Sequence, residues 1–198
     1  KKETIVSIPK IEEVKLEEEN FVGAYSKIEG NSRVVSLANK HIEDTLKSFK
    51  DAADKEVPAI LAEYPDSFSA NYSIFIESEY LRGVNTESIA INTYVYTGGA
   101  NGTAIYKTFT VDDSDKELEL SDVILEDKQD EFTSFVKQTL LNWRVEDMDH
   151  VLVFEDVVNE LQFNDIQHFA FDGQDLNIYF SEYDIAPGAM GSPMFTLS

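Results

Sequence analysis

Residues 89–111 read IAINTYVYTGGANGTAIYKTFTV, two β-rich runs on either side of a glycine-rich segment. Apolar and polar residues alternate in both runs, and β-branched and aromatic side chains dominate them, as in half-buried strands. The glycines of Gly98–Gly102 permit the positive φ angles of a hairpin turn. The stretch therefore predicts antiparallel strands over Ile89–Thr97 and Thr103–Val111, and the similar run Tyr72–Tyr80 completes a meander.

A helix is predicted before this meander. Apolar residues follow a 3.6-residue period from the capping residues Asn31 and Ser32 as far as Val57, where Pro58 is expected to end the helix. Residues 1–20 mix proline with acidic runs and show no sustained period. They are interpreted as a leader or linker that can add an edge strand.

A second unit is expected after the polar turn Asp112–Asp115. Asp127 can cap a helix, whose predicted apolar face comprises Phe132, Phe135, Val136, Leu140 and Trp143. Two β-rich segments then flank Asp172-Gly173, which is a strong short-range signal for a hairpin. A closing strand is expected at Met194–Leu197.

These elements predict an α+β fold, with a helix packed on an antiparallel sheet and two successive helix-plus-meander and helix-plus-hairpin units forming one compact body. The expected division is a leader at 1–20, an N-terminal module at 21–111 and a C-terminal module at 112–198. Between the second helix and the hairpin the pattern is ambiguous. That segment has an acidic patch at Glu146–Asp149 and a short helical candidate near Val157–Leu161.

The charge of the chain excludes one class of partner. Its 198 residues include 16 Lys and Arg against 38 Asp and Glu, a formal net charge of −22. Such a surface repels nucleic acid and attracts a basic protein or a cation. The absence of cysteine excludes disulfides and thiolate chemistry. No apolar run approaches the roughly 20 residues that span a bilayer, so no transmembrane segment is expected in this sequence.

The residue patterns assign no catalytic, cofactor or metal site. Three histidines lack the spacing of a metal-binding pair: His41, His150 and His168. His41 lies on the predicted apolar helix face, as a core or boundary histidine does. Gly98–Gly102 lacks the spacing of a phosphate-binding loop. Gly188–Ser192 has no serine between its two glycines, as a nucleophile elbow requires. The acids of Asp112–Asp115 could hold calcium, but they complete no EF-hand loop, and a solvated acidic turn is the simpler interpretation.

Two loops have distinctive sequences, one after the strand end Tyr94–Thr97 and one within Phe180–Gly191. Their motifs, Y-x-Y-T-G-G-A-x-G and F-x-x-Y-x-I-A-P-x-A-x-G, resemble the extracytoplasmic domain shared by the lysozyme-sensing anti-sigma factor RsiV and the non-catalytic N-terminal region of PdaC-type peptidoglycan deacetylases. The resemblance extends from the helix near Val34 to Leu197. Asn101 and Gly188 depart from the pattern, which often has histidine and an aromatic residue at these places.

The resemblance implies a non-enzymatic binding or sensing module outside the cytoplasm, as a secreted, lipid-anchored or membrane-tethered protein of the bacterial envelope. The implied partner is a basic extracellular protein such as lysozyme, or peptidoglycan, and no cofactor is implied. The expected partner-binding residues are Tyr96, Gly98, Gly99, Asn101, Tyr183, Ile185, Pro187 and Met190. The strands that lead into the two loops are expected to share one continuous antiparallel sheet, which would bring Gly99 close to Pro187.

Two alternatives remain open at this point. A glycan-binding accessory domain would stack sugar rings on exposed aromatic side chains, namely Tyr94, Tyr96, Tyr179 and Tyr183. An unrecognised hydrolase would instead need a histidine or a pair of acids with a shifted pKa in a cleft.

Overall fold

The computed structural model describes residues 7–67, 70–143 and 153–198. The first unit contains β1 Lys10–Glu17, β2 Phe21–Glu29, α1 Arg33–Glu63, β3 Tyr72–Arg82, β4 Thr86–Tyr96 and β5 Thr103–Asp112. The strands form one sheet in the order β1-β2-β3-β4-β5. Neighbouring strands are antiparallel except β2 and β3, which run parallel because α1 connects them across the sheet.

The sheet confirms the predicted meander, since β3, β4 and β5 pair antiparallel in sequence order. The edge strand expected within the leader is β1. Strand β2 and its parallel pairing with β3 have no counterpart among the predicted elements. In the part of the chain that the structure describes, none of the helices has both the length and the hydrophobicity that a membrane crossing requires.

Helix α1 continues through Pro58, so the predicted end at Val57 is wrong. A proline there removes one backbone hydrogen bond, the one to the carbonyl of Asp54. Pro58 and Asp54 are both exposed, so water can solvate that carbonyl. Ala53 and Val57 are buried before the proline, and Ile60 after it packs against the same core. This burial on both sides of Pro58 keeps the helix continuous.

The first hydrophobic core lies between α1 and one side of the five-stranded sheet, here called the inner face. Phe49 of the helix packs edge-on against Phe21, with ring centroids 5.2 Å apart, and its ring lies 6.2 Å from that of Tyr72. Ile74 and Ile89 of the sheet are completely buried in this layer. The side of the sheet away from α1 is called the outer face.

The second unit contains α2 Leu120–Val123, α3 Gln129–Leu141, α4 Glu155–Glu160, β6 His168–Asp172, β7 Asp175–Tyr179 and β8 Met194–Leu197. Its strands form an antiparallel sheet in the order β6-β7-β8. This confirms the hairpin across Asp172-Gly173, where Gly173 has a φ of 61°, and the closing strand. Helix α4 corresponds to the candidate near Val157–Leu161. The acidic patch Glu146–Asp149 and His150 lie outside the described residues.

Helix α3 forms close to its predicted position, but one residue of its predicted apolar face is misplaced. A 3₁₀ turn at Glu126–Lys128 precedes the helix. Val136 and Leu140 are buried in the second core, whereas Phe135 is 53% exposed. Successive helical residues point about 100° apart, so burial of Val136 turns Phe135 away from the core.

The two units meet where β6 crosses the outer face. The Phe169 amide donates a hydrogen bond to the Thr108 hydroxyl at 3.0 Å, and the Thr110 hydroxyl donates to the Phe169 carbonyl at 3.2 Å. The Gly173 amide donates to the Arg82 carbonyl at 2.8 Å. The expectation of one continuous sheet is therefore wrong, because the loop-bearing strands belong to two sheets. The α+β class, with a helix packed on a mainly antiparallel sheet, is confirmed.

Candidate functional site

The glycine loop, residues 97–102, connects β4 and β5 at one end of the larger sheet. Gly98 and Gly99 have φ angles of 90° and 99°, which glycine adopts without steric strain. The Tyr96 hydroxyl donates a hydrogen bond to the Gly99 carbonyl at 2.9 Å. This bond ties the loop to its own strand and leaves Gly99 and Asn101 exposed.

The proline loop, residues 181–191, follows β7. The Asp184 carboxylate accepts a hydrogen bond from the Ser181 amide at 2.9 Å, and the Asp184 amide donates to the Ser181 carbonyl at 3.1 Å. Within this tight turn Tyr183 has a φ of 68° and is 48% exposed. A non-glycine residue in this left-handed conformation costs about 1 kcal/mol or more. The turn therefore holds an exposed aromatic ring in a strained position.

Gly188 leaves the space that the Tyr183 ring occupies. A Cβ atom at Gly188 would collide with the ring and hydroxyl of Tyr183. In the family that the motifs resemble, an aromatic residue is common at this position. Here the Tyr183 ring occupies the space beside position 188, so a larger side chain does not fit.

Hydrogen bonds hold the proline loop against the free edge of β5, immediately after the glycine loop. Ala104 accepts a bond from the Glu182 amide at 2.9 Å and donates its own amide to the Glu182 carboxylate at 2.7 Å. The Tyr106 amide donates to the Ser181 hydroxyl at 2.9 Å. These bonds satisfy outward-pointing backbone groups of the edge strand. The two loops, which lie next to each other along β5, are called the paired loops.

The predicted partner-binding residues differ in exposure. Four are exposed: Gly99, Asn101, Tyr183 and Pro187. Three are half-buried: Tyr96, Gly98 and Met190. The assignment of Ile185 is wrong, because its side chain is 2% exposed and packs in the second core. Tyr179, expected in the glycan alternative, is buried as well and cannot stack on a sugar.

No sequence pattern indicates the role of Ser181 and Glu182. Their partners on β5 lie 75 and 78 positions away in the chain. A serine and a glutamate beside a loop are common in any acidic protein, so the only usable signal is the unpaired edge of β5, which becomes apparent once the strand order is known.

A separate cavity of about 460 Å³ lies beside β5, and Lys107, Glu117 and His168 are among its lining residues. Burial, followed by the charge of Lys107, lowers the pKa of His168, and the same two causes lower the pKa of His41. Both imidazoles are therefore neutral at neutral pH. The charge of His41 also lowers the pKa of His168, whereas Asp184 raises it.

The acidic turn Asp112–Asp115 is organised by its own backbone. The Asp112 carboxylate accepts hydrogen bonds from the amides of Ser114 and Lys116 at 2.8 and 3.0 Å. Within residues 7–67, 70–143 and 153–198, no group of three His, Cys, Asp or Glu side chains is placed to hold a metal ion. This geometry agrees with a solvated turn.

The fold and the paired loops define an α+β domain of two units whose exposed loops lie beside a sheet edge. Residues 107–198 match a family model described as Protein of unknown function (DUF3298). This match covers the second part of β5 and the whole second unit.

Two solved structures have a similar fold. One is a member of the DUF3298 family from Bacteroides fragilis, with a TM-score of 0.61 and 15% identity over 96% of this chain and 90% of that chain. The other is a DUF3298 family protein from Pseudomonas aeruginosa, with a TM-score of 0.60 and 16% identity over 95% of this chain and 88% of that chain. The comparison with curated proteins gave no match. Identities this low show a shared fold alone.

Proposed function

We propose that this chain is a non-catalytic binding module of the bacterial envelope, and that its paired loops grip a basic protein such as a lysozyme. The two loop motifs resemble the lysozyme-sensing domain of RsiV, and this resemblance supports the choice of partner. The module acts outside the cytoplasm, where such a partner is present.

One observation carries the proposal: the strained, exposed tyrosine of the proline loop. Tyr183 combines a φ of 68° with 48% exposure, and strained residues concentrate at binding and catalytic sites. Its ring lies against Gly188, and the bond between Glu182 and Ala104 fixes its turn on β5. A rigid, exposed aromatic side chain is a frequent anchor in protein interfaces.

The charge of the molecule supports the same class of partner. A net charge of −22 attracts a basic protein over long range and raises the association rate. This attraction is not specific, so the loops have to supply the docked contacts.

Titration calorimetry against a C-type lysozyme at about 0.1 M and about 1 M salt separates the two contributions, because the Debye length falls from about 10 Å to about 3 Å. We expect weaker but measurable binding at high salt. Tyr183→Ala should weaken binding about tenfold or more at both salts. Phe135→Ala is the matched control, since it removes a similarly exposed ring on α3 and should leave binding unchanged.

Binding that disappears at high salt and is equal in both variants would mean diffuse charge attraction. Absence of binding at low salt would reject a lysozyme partner. Repeating the titration with a soluble peptidoglycan fragment then tests the glycan alternative, for which Tyr94 and Tyr183 remain the exposed candidates.

A further inference from the structure

The outer face of the larger sheet has an uncovered part beside the paired loops. Directly paired residues on neighbouring strands point to the same face. Phe75 pairs with Ala24 on one side and with Tyr94 on the other, and Tyr94 pairs with Ala104. Phe75 is 43% exposed and Tyr94 is 39% exposed. Val22, two residues before Ala24 on β2, points to the same face and is 52% exposed. Val22, Phe75 and Tyr94 are called the aromatic strip.

The strip is continuous with the paired loops. Ala104, the cross-strand partner of Tyr94, is the residue whose amide and carbonyl are bonded to Glu182. Gly102, at the end of the glycine loop, lies against the Tyr94 ring, where a Cβ would collide with it. The strip therefore begins directly beside the paired loops.

Carboxylates surround the strip. Glu77 and Glu79 follow Phe75 on β3 at two-residue intervals, so they point to the same face, and both are exposed. Burial raises the pKa of Tyr106 on β5, and the charges of Glu79 and Glu77 raise it further. This effect agrees with the placement of both carboxylates on the outer face. On β1, Glu13 and Glu17 flank Lys15 on the same face. Negative charge thus predominates around the exposed rings.

We propose that the aromatic strip binds an arginine side chain of the basic partner, an inference that rests on the proposed function. The guanidinium group is planar, always charged and weakly hydrated, so it stacks on a ring and bonds a neighbouring carboxylate at the same time. Phe75 and Tyr94 supply the ring faces, and Glu77 supplies the carboxylate. Lysine, with a strongly hydrated ammonium group, fits this surface less well.

The test uses a probe with one charge, so that the overall acidity of the protein contributes little. N-acetyl-arginine amide is titrated into the ¹⁵N-labelled chain at about 0.1 M salt, with N-acetyl-citrulline amide as the uncharged isostere. The amide signals of Phe75 and Tyr94 should shift with the arginine probe and stay in place with citrulline. Phe75→Ala and Glu77→Gln should each weaken the apparent affinity about threefold, whereas Phe135→Ala should not change it.

Glu77→Gln changes an exposed side chain, so it tests the site even where Phe75→Ala perturbs the fold. Equal shifts with citrulline and arginine would overturn the proposal, because charge would then play no part. Shifts at these amides with a chitin-type oligosaccharide and none with arginine would also overturn it and assign the strip to sugars. A response to arginine in a protein that ignores lysozyme would support the strip and reject the proposed function.

Discussion

Tyr183 is the residue at which local strain and exposure coincide, and the strain itself can be measured. Replacing Tyr183 by alanine removes the ring but keeps a Cβ in the left-handed conformation, whereas glycine removes both. We expect Tyr183→Gly to have a free energy of unfolding about 1 kcal/mol higher than that of Tyr183→Ala in urea denaturation. Both variants should lose binding to the partner.

The neighbouring Ala189 provides the control for this comparison. Ala189 is exposed. Its φ is not positive, because within the described residues only Asp115 and Tyr183 are non-glycine residues with positive φ. Ala189→Gly should therefore lower the free energy of unfolding by about 0.5–1 kcal/mol. If glycine at position 183 gives no more stability than alanine, the turn stores no strain and the main support for a binding role of Tyr183 is lost.

Among the elements, α1 lacks one backbone hydrogen bond, and a single substitution can restore it. Pro58→Ala restores an amide donor for the exposed carbonyl of Asp54 without changing the buried face. We expect the free energy of unfolding to rise by about 1–2 kcal/mol, less than the full helix penalty of proline because the proline also restricts the unfolded chain. Lys55→Ala, another exposed change in the helix, should stay within about 0.5 kcal/mol. A stability loss in Pro58→Ala would show that the proline stabilises this helix.

The elements also show which features could be predicted from sequence. The hairpin at Asp172-Gly173 is encoded by adjacent residues, so a local pattern is sufficient to predict it. The pairing of β2 with β3 joins Phe21 to Tyr72 across a whole helix, and no local pattern reports such a contact. Pro58 shows the opposite error, because a strong local signal was outweighed by burial of the helix face.

The same distinction applies to the candidate site. The turn-forming glycines of the glycine loop follow from residue type, and the choice of Tyr183 as a binding residue rests on the resemblance of its motif. The burial of Ile185 and the bonds of Glu182 to Ala104 depend on how the second unit docks on β5, which requires the arrangement of both units in space.

For the whole molecule, both apolar and polar contacts form the junction between the two units. The two large cores are separate, and a small third cluster of Leu81, Ala90, Ala170 and Tyr179 lies where the sheets cross. The hydroxyls of Thr108 and Thr110 bond the backbone of β6 nearby. His168 is the first residue of β6, so a charge on its imidazole is placed at this junction.

That charge state makes the stability of the molecule dependent on pH in a predictable direction. Burial and Lys107 lower the pKa of His168 in the folded protein from its usual 6.5, so the unfolded chain binds a proton first as the pH falls. The stability that neutral His168 contributes is complete above about pH 6.5 and is lost as the pH falls through the folded pKa. Between about pH 7.5 and about pH 5.5, His168→Gln should therefore lose less stability than the wild type in urea unfolding.

Lys107→Gln tests the second cause of the shift, the neighbouring charge, in the same experiment. Removal of the neighbouring charge should bring the folded pKa of His168 closer to 6.5 and reduce the pH dependence while the imidazole is kept. His41 titrates in the same range in the wild type and in His168→Gln, so the comparison between those two proteins cancels most of its contribution. An identical pH dependence in the wild type and His168→Gln would mean that His168 is solvated and that the junction does not enclose it.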